Sequence, residues 1–282
     1  MSDLSLLGLF AHPDDEQLMS GTFARAASEG MRTGLLCATR GEMGEIAEAD
    51  PPLATPETLG GVREGELRAA VTVLGVKYLW FLDYKDSGMA GTPSNEDPAS
   101  FMRTDEKEAL GKVVKIVREF KPTIMVTFDR TGGYGHPDHL TIHKLATQAF
   151  DAAADPKMYP EAGEPWQAAR LFYSVFPRSA FKMMAEFIEA NNIETSFAGL
   201  DPDVFGTPDE EITNMADVGE WVPVKERSVN HHRTQMSPNS PMALAGEEVI
   251  REWRSKEWYV LAAGEPLPEG PEGQSDLFAG LR

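Results

Sequence analysis

A Rossmann-like α/β fold, with a mostly parallel sheet and helices on both faces, is predicted by three features of this 282-residue chain. Short apolar runs alternate with stretches of helical period. Glycine and proline fall where those elements should end. The intervening helical stretches are long enough to serve as crossovers between parallel strands.

Residues 4–10 ("LSLLGLF") read as a buried first strand, followed by a helix from about 14 to 30 that stops at Gly30. Residues 33–38 form a second strand, and 41–58, rich in Gly, Glu and Pro, form a loop. "TLGGVREGELRAAVTVLG" (58–75) places apolar residues at helical spacing and ends in Gly75. A third strand at 78–82 leads into a long loop at 84–103, then a helix at 105–120. "PTIMVTF" (122–128) is the fourth strand, "DRTGGYGHPDH" (129–139) a turn, 139–154 a helix, and "ARLFYSVF" (169–176) the fifth strand. Beyond about 178 the alternation fades, and helical patterns recur at 179–191, 222–234 and 244–257 with turns such as "SPNSP" (237–241). The chain therefore reads as one domain: a core at about 1–178, an α-rich elaboration at about 179–263, and a solvated tail at 264–282.

Composition narrows the function classes. Hydrophobic content of 41% with 25% charged residues suits a soluble globular protein, and no run approaches the ~20 apolar residues of a membrane span. The N-terminal apolar run is too short for a secretory signal. The single cysteine, Cys37, excludes an internal disulfide, fits a reducing cytoplasm and reads as a core thiol. A net charge of −19 repels phosphate backbones, which excludes nucleic acid and leaves a small-molecule partner; homo-oligomerisation stays open.

Chemistry concentrates in two turns that each follow a strand, at the end of the sheet where such folds bind ligands. "AHPDDE" (11–16) and "GHPDH" (135–139) both run strand, turn, His-Pro, helix, with proline suited to a first helical position. Side chains three or four apart share a helical side, so His12 and Asp15 converge while Asp14 points elsewhere. A third ligand, His139 or His143, would complete a two-histidine, one-carboxylate set. That set suits Zn2+ with an open position for water, and Fe2+ equally. A bound dication would offset repulsion among Asp14, Asp15 and Glu16 and lower the pKa of its water, leaving Asp14 as general base. Acids in a first helical turn are also favoured by the helix dipole, which is the plainer reading of Glu16. His143, one turn into its helix, reads as a packing residue.

These motifs resemble the LmbE-like, or PIG-L, family of metal-dependent de-N-acetylases. The similarity extends through "TRGEMGE" (39–45), "REGELRAAVTVLGV" (63–76), "FLDYKDSGM" (81–89) and "GGYGHPDH" (132–139), with a faint late element at "HRTQ" (232–235). The resemblance implies a hydrolase that removes an N-acetyl group from an N-acetylglucosamine-type conjugate, with one divalent metal per chain. It implies His12, Asp15 and His139 as metal ligands and Asp14 as the base. It also implies His136 as a cationic stabiliser and proton donor, Asp138 as its orienting partner, and Tyr134 as a group that polarises the substrate carbonyl. Arg63 and Asp86 match positions that contact the sugar in mycothiol-pathway relatives. Met19 departs from the small polar or basic residue those relatives carry, which separates this chain from a specific mycothiol assignment. The alternatives are an amidase acting on a larger N-acyl or thiol S-conjugate, and a metal-binding homologue without turnover. Roles for His232 and the 84–103 loop are not legible.

Overall fold

The structure is a computed structural model that describes residues 4–193, 201–237, 244 and 247–282. Seven strands form one sheet: β1 (Ser5–Phe10), β2 (Arg32–Cys37), β3 (Tyr78–Phe81), β4 (Ile124–Phe128), β5 (Arg170–Val175), β6 (Asn214–Asp217) and β7 (Lys256–Gly264). Their order is β3-β2-β1-β4-β5-β7-β6, parallel from β3 to β5 and antiparallel at β7.

Helices α1 (Ser20–Ser28), α2 (Leu59–Leu74), α3 (Glu106–Phe120) and α4 (Pro137–Ala152) supply the crossovers. Right-handed connections carry α1 and α2 to one face while the chain moves from β1 to β3, and α3 and α4 to the other as it returns through β4 to β5. The contacts agree: α1 packs on α2, and α3 on α4. Every residue of β1 and β4 is buried, as expected for central strands covered on both faces. The strand order reverses between β1 and β4, which are hydrogen-bonded neighbours. A crevice opens beyond their carboxyl ends at such a reversal, and both histidine turns lie there.

The C-terminal part departs from the expected α-rich elaboration. Helices α5 (Arg178–Ala190), α6 (Val222–Val229) and α7 (Glu247–Arg254) are present, but β6 and β7 extend the sheet. The helical pattern expected through 257 stops at Arg254, and Lys256 begins β7, which pairs with β5 and β6. Apart from Ser237, the expected turn at 237–241 lies outside the described residues. The expected tail is only partly solvated. Most of 265–275 is exposed, whereas Leu277, Phe278 and Ala279 are buried. Arg170 anchors this segment by donating to the carbonyls of Glu265, Pro266 and Leu277.

Glu257 on β7 joins the added strands to the core. Its buried carboxylate accepts from Gly21 N (2.8 Å), Thr22 N (2.9 Å), Thr22 Oγ1 (2.7 Å), Lys225 Nζ (2.5 Å) and Tyr259 Oη (3.1 Å). Two of these donors are backbone groups in the first turn of α1, where N–H groups have no acceptor within the helix. Thr22→Val keeps the shape but removes one donor to a buried charge. It is expected to cost about 2 kcal/mol, read as a lower midpoint in urea unfolding.

Candidate metal centre and active site

The turn after β1 is tighter than a helix start. Asp15 Oδ2 accepts from His12 N (2.7 Å) and Ala11 N (3.2 Å), which folds the chain back on itself. The expected helix from 14 is instead a five-residue 3-10 turn, Asp15–Met19, ahead of α1. Asp14 adopts φ 109°, a left-handed conformation that costs a non-glycine residue about 1–3 kcal/mol. Two contacts hold it there. Asp14 N donates to Glu16 Oε2 (3.0 Å), and Arg63 Nη2 donates to Pro13 O (2.6 Å) while lying 3.1 Å from Asp14 Oδ2. His12 and Asp15 thus converge and Asp14 diverges, as the spacing predicts, although the turn is not α-helical.

Arg63 belongs to α2 and is almost completely buried. Its Nη1 donates to Gly41 O (2.9 Å), and the guanidinium lies where a Cβ at Gly41 or Gly44 would stand. This close approach explains the glycines of "TRGEMGE". Arg63 was expected at the sugar; it is found beneath Asp14 and Pro13, inside the wall of the crevice.

The turn after β4 presents three histidines differently. His136 caps α4: its Nδ1 accepts from Asp138 N (3.1 Å), and Pro137 takes the first helical position, as predicted. His139 Nδ1 donates to Gly132 O (2.9 Å), so its Nε2 lone pair faces the other turn. Its ring stacks on Phe128 at 3.9 Å. His143 hydrogen-bonds Phe128 O (2.9 Å) and packs edge-on against Tyr173, away from the cluster.

Across the crevice, His12 Nδ1 lies 3.1 Å from His139 Nε2 and 3.5 Å from Asp15 Oδ2, and Asp15 Oδ1 lies 3.4 Å from His139 Nε2. A tetrahedral ion with ligands at about 2.0–2.1 Å has edges of about 3.3 Å between ligand atoms. The His12–His139 separation is close to such an edge, and each histidine lies at a similar distance from one oxygen of the Asp15 carboxylate, Oδ2 for His12 and Oδ1 for His139, so the donor set fits a divalent ion. Among the described residues, two further groupings bring ligand atoms within 4.8 Å: His12, His136, His139, and His12, Asp86, Asp138. In the first, His136 Nδ1 is already occupied by the Asp138 amide. The second uses the other side of His12, whose Nε2 faces Asp138 Oδ2 at 3.2 Å and Asp86 Oδ1 at 3.6 Å. A carboxylate on the far nitrogen of a ligating histidine sets its tautomer and orientation.

This corrects the expected role of Asp138. Its carboxylate supports His12, not His136, and also accepts from Ser87 N (3.0 Å). Asp86 is likewise buried beside His12 and accepts from Gly88 N (2.7 Å) and Met43 N (3.1 Å). Burial would raise its pKa, but His12 and these amides hold the carboxyl below its usual range. Arg63 and Asp86 are both buried.

The site's electrostatics favour a cation. Burial opposes charge on His12, yet Asp138, Asp15 and Asp86 outweigh it and hold the imidazole well above its ordinary pKa. For Asp15, burial is overcome by His139 and His12, which keep it ionised. Burial raises Asp14, Arg63 opposes that, and Asp15 adds repulsion, leaving the carboxyl above its ordinary value. Burial, then the charges of His12 and His139, push His136 down to about 3. Because Nδ1 accepts from the Asp138 amide, Nε2 is the ring nitrogen that carries a proton. Tyr134 packs edge-on to His139 at 5.0 Å, and burial raises its phenol.

Sequence reasoning missed two things. Glu16 is fully buried and bonded to His232 Nε2 at 2.6 Å, so it is more than a helix-terminal acid. Met19 is fully buried in the core, so it does not line the crevice and the weight placed on it as a substrate marker lifts.

A histidine–carboxylate centre in two turns, at the strand-order reversal of a mostly parallel sheet, is the construction of an α/β metal-site hydrolase. The sequence matches the PIG-L family (GlcNAc-PI de-N-acetylase) over residues 7–150. It is 40% identical to a 1D-myo-inositol 2-acetamido-2-deoxy-alpha-D-glucopyranoside deacetylase of Geodermatophilus obscurus, covering 98% of this chain and 97% of that one. A protein of the same name from Thermobispora bispora is 37% identical over the whole of both chains. The structure resembles that of a conserved protein from Thermus thermophilus, with TM-score 0.61, 26% identity, and coverage of 95% of this chain and 98% of that one. The chain belongs to the PIG-L family of de-N-acetylases, hydrolases of an amide bond. No helix among the described residues is long and apolar enough to cross a membrane.

Proposed function

We propose that the protein hydrolyses the acetamide of an N-acetylglucosamine conjugate, releasing acetate and a free amino sugar, with inositol as the aglycone. The end-to-end match to two inositol-linked deacetylases supports that aglycone. The observation that carries the mechanism is the separation of roles in the first turn: His12 and Asp15 face His139, while the Asp14 carboxylate stands apart, one-third exposed and braced by Arg63.

His12, Asp15 and His139 would hold one divalent ion, Zn2+ by preference and Fe2+ as the other candidate. Such an ion supplies Lewis acidity toward the carbonyl and makes water acidic enough to attack at neutral pH. Asp14 accepts the proton of the attacking water and returns it to the leaving nitrogen, which the raised pKa of its carboxyl suits. His136, with Nδ1 tied to the Asp138 amide, offers Nε2–H to the developing oxyanion, and Tyr134 adds its hydroxyl. Asp138 and Asp86 orient His12. The buried lone Cys37 suits a cytoplasmic location.

Metal analysis and a substrate panel test this reading together. The protein is expected to carry about one zinc or iron per chain and to release primary amine from 1D-myo-inositol 2-acetamido-2-deoxy-α-D-glucopyranoside faster than from other N-acetylglucosamine conjugates. Turnover confined to larger N-acyl amides or thiol S-conjugates would move the assignment to the amidase alternative. Metal binding without turnover on any amide would leave only the non-catalytic one.

A further inference from the structure

We propose that His232, acting through Glu16, is a positioning residue that fixes the backbone of Asp14 so that its carboxylate stays aimed into the crevice. The inference rests on Asp14 being the base of the proposed reaction.

Asp14 occupies a left-handed conformation at φ 109°, and its side chain makes no capping hydrogen bond to the turn that follows. The Asp14 carbonyl accepts from Gln17 N (3.0 Å), and its N–H is held by Glu16 Oε2, which accepts it at 3.0 Å. Glu16 in turn has no exposed surface, and its other oxygen accepts from Gln17 Nε2 (2.6 Å) and His232 Nε2 (2.6 Å). An unpartnered buried carboxylate would swing or protonate, so the two donors decide where Oε2 stands. Gln17 also donates to Ser228 Oγ on α6 (3.0 Å), which holds it in place.

His232 is placed by the same helix that holds the other end of Asp14. Thr234, two residues on, donates from its N (2.9 Å) and Oγ1 (2.6 Å) to Glu66 on α2. Ala47 N donates to Thr234 O (2.7 Å), and Gln235 Nε2 donates to Glu45 O (3.0 Å). Glu66 lies one helical turn from Arg63, whose guanidinium meets Pro13 O and the Asp14 carboxylate. α2 thus grips the catalytic turn twice: directly through Arg63 at the carboxylate, and through the "HRTQ" segment and Glu16 at the amide. The late sequence element gains a function that its distance from the two histidine turns conceals.

A bland account makes His232 and Glu16 a buried pair that only secures the C-terminal segment. Such a pair would affect stability, but not Asp14 in particular. The two accounts part in an experiment on the full-length protein. His232→Ala and the conservative His232→Gln and Glu16→Gln are prepared alone and with Asp14→Asn. His232→Ala is expected to lower kcat about tenfold with KM within about twofold, at unchanged metal stoichiometry. His232→Gln, which retains an N–H donor, should recover most of that loss. In the Asp14→Asn background, His232→Ala should cost nothing further, because residues acting through one another are not additive. Hydrogen exchange provides the readout independent of turnover: in metal-free protein, His232→Ala should speed exchange in residues 11–17 while leaving 124–128 unchanged. An equal loss of kcat with and without Asp14, or unchanged exchange at 11–17, overturns the proposal. If the wild-type protein releases no amine from any substrate, the functional reading fails, and the exchange result still decides the brace.

Discussion

Asp14→Asn is expected to retain the metal and to lose about 10²–10⁴-fold in kcat, the range of general acid–base catalysis. The carboxamide preserves size and still meets Arg63 at the position of Oδ2, 3.1 Å from Nη2, so the turn should hold its shape. What it cannot do is take a proton from water and hand it on. The wild-type carboxyl is suited to both steps. Burial and the nearby Asp15 raise its proton affinity, and Arg63 opposes that rise. Kinetics of amine release, read beside metal content, check the outcome. Unchanged kcat would remove Asp14 from the base role. Loss of the metal would place Asp14 among the ligands instead, and the ligand set of His12, Asp15 and His139 would need revision.

The legible parts of this protein are those written in short stretches of chain. β1, β4 and the turns that follow them are recognisable because each strand is an uninterrupted apolar run and each motif packs its chemistry into five or six residues. The divergence of Asp14 from His12 and Asp15 follows from spacing alone, and it survives even though the turn is 3-10 in place of α-helix. What was not legible depends on partners far along the chain. The start of β7 falls at the end of the helical pattern at 244–257, and pairing with β5 and β6 overrides that pattern from Lys256 onward. Glu16 could be seen only as a helix-terminal acid, since its partner His232 lies 216 residues away. Arg63 was placed on the substrate by analogy of motif, whereas glycines at 41 and 44 make room for it inside the wall. Met19 drew attention as a departure in a motif, and its side chain belongs to the core.

Asp138 shows how that distinction changes a prediction. The family resemblance implies it as the orienting partner of His136, and on that reading its loss should slow the chemistry and spare the metal. In the structure only its backbone N–H reaches His136, while its carboxylate accepts from Ser87 N and faces His12 Nε2. A proton fixed on Nε2 leaves Nδ1 as the ligating atom, aimed at His139 Nε2 and Asp15. Asp138→Ala is therefore expected to weaken metal binding by about 10–100-fold, the cost of removing an outer carboxylate from a ligating histidine. Competition with a chromophoric chelator measures the affinity, and kcat at saturating metal measures the rest. Asp86, 3.6 Å from the same nitrogen, offers a partial substitute, which argues for the lower part of that range. An unaltered metal affinity with a lowered kcat would return Asp138 to His136 and remove the carboxylate support from His12.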